Sequence, residues 1–383
     1  MHSKKILHVI TSESWGGLEI YVAALIIQLQ KSGVNQSVFV TKNSLIAKEL
    51  QSNGVAVYLT QTSSQSNFSK FIQLFKTVKQ GNFNVIHSHT SKDARIACMT
   101  AWIIPNLKHI FSLYMGATNK NDIIHRILYH KIDVLISSSE NTNSEVKTMY
   151  PIRPEKVQLI RYGRDINLYQ SNIEIRNKLR AEYNCDNDTI VVATMARIDP
   201  AKGIREIAES YSYLPSTLKE KVQIWIIGER NIIRTLEDGT KVHEEESNKL
   251  YQYVQTYISD NQLENHVKLI PFQKEYISFL GAIDIFVLAS WYEMYSLSVI
   301  DAMCMGLPVI GANTGGTPEQ VKDGERGIQI PIKSPEKIAE AIQTLALDHA
   351  KRKELGSNAR KWASENHSWG NVISKISEIY LTI

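Results

Sequence analysis

Residues 293–327 read EMYSLSVIDAMCMGLPVIGANTGGTPEQVKDGERG, and the order of residue types in this stretch decides the fold of the 383-residue chain. A polar loop at Glu293-Met294-Tyr295-Ser296 leads into a short helix-length segment. A buried-strand pattern follows from Pro308, then a glycine pair, Gly315-Gly316, and a second helix start at Thr317-Pro318-Glu319. Strand, loop and helix in alternation is the pattern of a parallel α/β sheet. Glu293 and Asp301 stand eight residues apart and are expected to face one ligand, one from the loop and one from the first turns of the helix. The free N–H groups at the helix start, near Leu297 and Ser298, attract anions through unpaired donors and the macrodipole. A sugar joined to a phosphate suits that set.

The same grammar extends in both directions. The apolar run Ile190 to Ala196 ends in Arg197-Ile198-Asp199-Pro200-Ala201-Lys202-Gly203, two cations on a loop at the carboxyl end of a strand. At the amino terminus, Lys4 to Ile10 reads as a strand and Trp15-Gly16-Gly17-Leu18-Glu19 as a turn. Apolar Tyr21, Val22, Leu25, Ile26 and Leu29 then recur at helical spacing before Gly33. Further strands are expected at Gln36 to Val40, Val55 to Leu59, Val85 to His89, His109 to Tyr114, Val134 to Ser138 and Val157 to Tyr162. A second series is expected at Val222 to Ile227, Val267 to Phe272, Ile285 to Ala289, Pro308 to Gly311 and Ile328 to Ile330.

The chain exceeds the size of one core, so the reading is two α/β domains, 1–165 and 166–367, with the linker near 164–176. Val372, Ile373, Ile376 and Ile379 predict a helix over Asn371 to Tyr380.

Composition excludes several classes. At 43% apolar and 21% charged residues the chain is globular, and its longest apolar run is too short for a membrane span. Cys98, Cys185 and Cys304 lack metal-ligand spacing, and with no signal-peptide pattern they predict a reducing cytoplasm. Residues 1–165 carry nineteen Lys and Arg against ten Asp and Glu, while the remainder is acidic. This asymmetry is either a solvated face or a surface for anionic lipid. No stacking aromatics are interleaved with the basic residues, which argues against nucleic acid.

The 293–327 stretch resembles the donor-binding signature of the family 4 retaining glycosyltransferases of the GT-B fold. Glu293 matches the first family acid, Asp301 replaces the second, a Glu, and Ala302-Met303-Cys304-Met305-Gly306-Leu307-Pro308-Val309 follows in register. The resemblance implies two facing Rossmann-like domains with a C-terminal helix, 368–383, crossing back to the first. It implies a nucleoside-diphosphate sugar as co-substrate, no metal or other cofactor, and Arg197 and Lys202 as a diphosphate clamp. Glu293 would contact the transferred sugar beside Met294, Tyr295 and Ser296, where the family has Gly-Phe-Gly. Asp301 would bind the ribose, or only complement the helix start. Gly228 and Phe272 would flank the base, and Gly16 and Gly17 would lie under the phosphates.

Gly315 and Gly316 are expected to let backbone approach the ligand, with Glu319 orienting that loop or capping the helix. His87 and His89 share a strand face at metal-like spacing, but no third ligand is evident nearby. His89 is instead expected to hydrogen-bond near the cleft on the acceptor side; Tyr114, also placed on the acceptor side, stands where the resemblance puts a His in many relatives. The implied activity is transfer of a sugar, with retention, to a glycan or lipid-linked acceptor in bacterial lipopolysaccharide, capsule or related surface-glycan assembly at the inner face of the cytoplasmic membrane. The alternatives are a sugar-nucleotide epimerase of the same fold and a non-catalytic sugar-nucleotide-binding subunit.

Overall fold

The computed structural model describes residues 4–61, 66–235 and 240–383. The chain divides into two units, one formed by Met1–Gly163 with His367–Ile383 and the other by Arg164–Asn366. In the first unit seven strands form one sheet: β1 (Ile6–Ile10), β2 (Gln36–Thr41), β3 (Val57–Thr60), β4 (Val85–Ser88), β5 (Lys108–Leu113), β6 (Val134–Ser137) and β7 (Val157–Leu159). Their spatial order is β3-β2-β1-β4-β5-β6-β7, and every pairing is parallel. The predicted ends shift by a few residues. The strand expected to Tyr162 stops at Leu159, because β6 itself ends at its register partner Ser137.

Parallel strands covered on both faces must be apolar throughout, and β1, β2 and β4 are buried at every position. Each fully buried Val, Leu or Ile contributes about 1.5–3 kcal/mol. The second unit repeats the plan with β8 (Ile190–Met195), β9 (Val222–Ile227), β12 (Val267–Ile270), β13 (Ile285–Leu288), β14 (Val309–Ala312) and β15 (Gly327–Ile330), ordered β12-β9-β8-β13-β14-β15 and again parallel. Between β9 and β12 lies an antiparallel pair, β10 (Ile232–Thr235) and β11 (Lys241–His243), that the sequence reading did not anticipate. Its exposed Ile232 and Ile233 gave no core-facing alternation to read.

The C-terminal helix runs Trp369–Thr382, longer than expected, and belongs to the first unit. Val372, Ile373, Ile376 and Ile379 are buried, and Tyr380 Oη lies 2.6 Å from His87 Nδ1. Within the same unit a Cβ on Gly163 would fall 2.1 Å from the Trp369 ring, so only glycine allows the chain to pass this indole.

The first unit buries His8, His87 and His109 completely, each within the sheet. Burial holds the His8 pKa down to about 4 and that of His109 down to about 3. In the unfolded chain both imidazoles take up protons near pH 6.5. The unfolded state therefore binds more protons below that value, so stability is full above about pH 7 and declines as pH falls from 6.5 toward 4. We expect urea unfolding at pH 5 to show a clearly lower midpoint than at pH 7.5, with His8 alone contributing on the order of 3 kcal/mol across the window. An unchanged midpoint would contradict this account.

Candidate functional site

In an open parallel sheet, ligands bind outside the carboxyl ends of the strands where strand order reverses. In the second unit that point lies between β8 and β13, whose following loops are 196–203 and 289–296. Lys202 and Glu293 come from these two loops and form an ion pair, Nζ to Oε2 2.6 Å, with Ser290 Oγ 3.4 Å from the same oxygen. Both side chains are partly shielded, so an arriving anion meets a lysine already carrying a carboxylate. Arg197 stands apart from this pair. Its side chain is 68% exposed, with Asp199 at 3.8 Å, and it can reorient onto a ligand with little loss.

Close backbone packing holds the Glu293 loop from two sides. Gly203 (φ +67°) lies against Ala289, where a Cβ would come 2.2 Å from the carbonyl oxygen, and Trp291 N donates to Ala201 O at 2.8 Å. On the other side Gly316 N donates to Glu293 O at 2.9 Å. A Cβ on Gly315 (φ +55°) would lie 1.9 Å from that carbonyl, and one on Gly316 1.9 Å from Met294 O. This corrects the expectation that Gly315 and Gly316 make room for a ligand: the carbonyls of Glu293 and Met294 fill the space.

Gln320 also orients the loop. Gln320 is fully buried, accepts from Ser296 N and donates to Ser296 O, both at 2.9 Å. Glu319 lies in the first turn of the Thr317–Val321 helix, and its carbonyl accepts from Arg326 at 2.9 Å.

The Leu297–Met305 helix begins with Ser296, whose hydroxyl accepts from Val299 N and lies 3.0 Å from Ser298 Oγ. The amides of Leu297 and Ser298 precede the first intrahelical acceptor and supply the expected donors. Tyr295, on the loop expected to shape the sugar pocket, is only 3% exposed and packs beside Gly316. Phe272 is exposed on the loop after β12. Gly228 serves chain packing, since a Cβ there would fall 1.8 Å from Ala196 O.

Asp301 departs most from expectation. Its Oδ1 receives Arg164 Nε and Tyr169 Oη, each at 2.5 Å, and the side chain is about nine-tenths buried. Glu293 and Asp301 thus belong to two networks, one with Lys202 and one with Arg164 and Tyr169. Burial, reinforced by the Asp301 charge, pushes the Tyr169 hydroxyl far up, so it remains a donor to the carboxylate. Arg164 and Tyr169 were missed as site residues. The only signal was Arg164 in the Tyr162-Gly163-Arg164-Asp165 crossing, where a basic residue next to glycine reads as an ordinary loop.

In the first unit the reversal lies between β1 and β4. Gly16 caps the Gly17–Lys31 helix, and Glu19 closes the turn by accepting from Gly16 N at 3.0 Å and Ser12 Oγ at 2.6 Å. Gly17 is exposed beside it. Buried Asp93 fixes the start of the same loop through Thr11 Oγ1 at 2.6 Å and Thr90 Oγ1 at 2.6 Å. His89 Nδ1 lies 3.2 Å from Tyr114 Oη, a pairing that the sequence did not show.

A third imidazole, His8 on β1, lies within 4.8 Å of His87 and His89, correcting the reading that none is near. Each of their six ring nitrogens has a protein partner: Gln36, His89, Tyr380, Ser112, His8 or Tyr114. An ion entering the cluster would have to break these bonds.

Known proteins resemble this chain in sequence and fold. A D-inositol 3-phosphate glycosyltransferase of Corynebacterium glutamicum is 22% identical over 99% of this chain and 94% of its own. The crystal structure of Anabaena HepE in complex with UDP superposes with a TM-score of 0.84 at 19% identity, covering 99% of this chain and 100% of that one. A glycosyltransferase of Rickettsia africae also gives 0.84, at 18% identity, covering 99% and 98%. Residues 15–168 match the model of Glycosyltransferase Family 4 and residues 175–362 that of Glycosyl transferases group 1. With nearly the whole length matched and two parallel α/β sheets in place, the chain belongs to the group 1, family 4 glycosyltransferases of the GT-B fold.

Proposed function

We propose that the protein transfers a sugar, with retention of configuration, from a nucleoside-diphosphate sugar to a glycan or lipid-linked acceptor. The observation that carries this reading is the Lys202–Glu293 pair at the β8–β13 reversal, with Arg197 beside it on the same loop as Lys202. A diphosphate would draw Lys202 away from Glu293 and recruit Arg197, each charge-assisted bond contributing roughly 1.5–3 kcal/mol. Glu293 would then be released to accept hydrogen bonds from the sugar hydroxyls.

As the bond to the sugar breaks, negative charge grows on the leaving phosphate, and the two cations with the Leu297 and Ser298 amides take it up. The leaving phosphate itself removes the proton of the attacking hydroxyl on the same face, so no protein nucleophile and no metal is assigned. UDP is the favoured base, because Anabaena HepE has been crystallised with UDP and with UDP-glucose. Asp301, fixed by Arg164 and Tyr169 through Oδ1, retains Oδ2 for the ribose hydroxyls.

The acceptor is read as part of a surface glycan such as lipopolysaccharide or capsule, reached from an anionic membrane. WaaG, a glycosyltransferase involved in lipopolysaccharide biosynthesis, shares the fold at a TM-score of 0.69. The first unit also exposes Ile123, Ile124 and Ile127 on one short helix, next to Trp102 and Ile103. A cavity of about 670 Å³ beside them is lined by Lys108, His130, Lys131, Arg153 and Lys156, with Asp133 the one acid. An apolar face rimmed by cations fits an anionic bilayer surface. Among the described residues no helix is long and apolar enough to cross a membrane.

Four outcomes are expected. UDP at a hundred times its dissociation constant should stabilise the protein by roughly 2.7 kcal/mol in thermal unfolding, and Lys202→Ala should abolish most of that gain. Arg197→Ala should lower turnover with a UDP-sugar on the order of a hundredfold, and an unchanged rate in a folded variant would refute the clamp. Arg164→Ala should cost about 3 kcal/mol in urea unfolding, since it leaves the Asp301 carboxylate buried beside only a tyrosine. In co-sedimentation, the protein should bind phosphatidylglycerol vesicles and release them as salt rises, while Ile124→Asp weakens binding at every salt level. Equal binding to neutral phosphatidylcholine would count against the membrane surface.

A further inference from the structure

We infer that Tyr114 meets its ligand only as a hydrogen-bond acceptor, because a buried relay through His89, His8 and Gln36 draws its hydroxyl proton inward. The inference rests on the acceptor-side placement of Tyr114 proposed above, and its first step lies at the far end of the relay. Gln36 Nε2 is 2.6 Å from the carbonyl oxygen of Ile26 in the Gly17–Lys31 helix. A carbonyl can only accept, so the amide nitrogen must face it and Oε1 must face His8 Nε2, 2.9 Å away. His8 Nε2 therefore carries a hydrogen.

His8 is completely buried, and burial keeps it neutral. Its Nδ1 is then bare and accepts from His89 Nε2 at 2.9 Å. His89, 1% exposed and also kept neutral by burial and by His8, leaves its own Nδ1 bare, and the Tyr114 hydroxyl must donate to it at 3.2 Å. The opposite direction would require hydrogens on both nitrogens of buried His8, a charge the site does not compensate.

Two chemical consequences follow for Tyr114, which is half-buried and followed by exposed Met115. Burial pushes its ionisation well up, so it does not act as a general base. Its only hydrogen is engaged and the Ser112 hydroxyl bonds its oxygen from the protein side, so what remains for a ligand is the other oxygen lone pair. A sugar hydroxyl or an N–H, which brings its own hydrogen, fits this position. A phosphate, carboxylate or carbonyl oxygen is disfavoured there. His8 and Gln36 act as positioning residues, setting the polarity of Tyr114 from within the sheet.

Long-range ¹H–¹⁵N correlation spectra of the full chain, labelled at histidine and recorded at pH 7.5, test this without any turnover. Both His8 and His89 are expected as Nε2–H tautomers. In Tyr114→Phe the His89 Nδ1 resonance should move downfield, toward the position of an unbonded ring nitrogen, with the His8 tautomer retained. In Gln36→Leu the His8 ring should lose its single tautomer. An Nδ1–H tautomer on either ring in the natural protein, or an unmoved His89 Nδ1 in Tyr114→Phe, overturns the inference. Failure of the transferase reading would appear separately, as the lack of any thermal shift with UDP.

Discussion

The second unit depends on one constraint: the backbone of the Ala289–Glu293 loop is pressed between two glycine positions. Gly203 abuts Ala289 on one side and Gly315-Gly316 abuts Glu293 and Met294 on the other, at distances no Cβ would permit. A loop squeezed at main-chain separation has few conformations left, and Gln320 and Trp291 bind what freedom remains. Glu293 is thereby placed within reach of Lys202, which arrives from a neighbouring strand of the same sheet. The ion pair is the product of that packing, not its cause, since a partly exposed pair by itself contributes little.

The two carboxylates of the 293–327 stretch illustrate how position in a fold separates similar groups. Glu293 sits on the squeezed loop and pairs with a lysine that a phosphate can recruit. Asp301 lies on the following helix, nearly buried, where Arg164 and a protonated Tyr169 hold one oxygen. A carboxylate anchored this way cannot swing, so any hydroxyl it recognises must come to it. The short side chain of Asp301 agrees with a site preset by its partners.

The first unit solves a different problem, which is how to keep polar side chains in the centre of a parallel sheet. His8, Gln36, His87, His89, Ser112 and Tyr380 satisfy one another through hydrogen bonds rather than through water. The arrangement also pins the C-terminal helix, whose Tyr380 completes the bonding of His87. Neutral imidazoles are favoured throughout, because a proton added to any of them would place an uncompensated charge in a buried site. The same network that stabilises the sheet thus fixes the direction of the hydrogen bond at Tyr114.

Sequence by itself determined the elements and the fold. Continuous apolar runs and period-three-to-four patterns act within a few residues, so strands such as Ile190–Met195 and the helix after Gly16 were legible, as was the alternation of strand and helix that makes parallel sheets. Arg197, Lys202 and Glu293 were legible as charges on loops at strand ends, and sheet order brings Lys202 and Glu293 together at the reversal. Only the tertiary structure decided the partners. Asp301 meets Arg164 and Tyr169 across 137 and 132 residues of chain, and His8 meets His89 across 81. Such contacts leave no local periodicity, because they depend on which strands are neighbours and which way each side chain turns, and sheet order is settled only when the whole sheet packs.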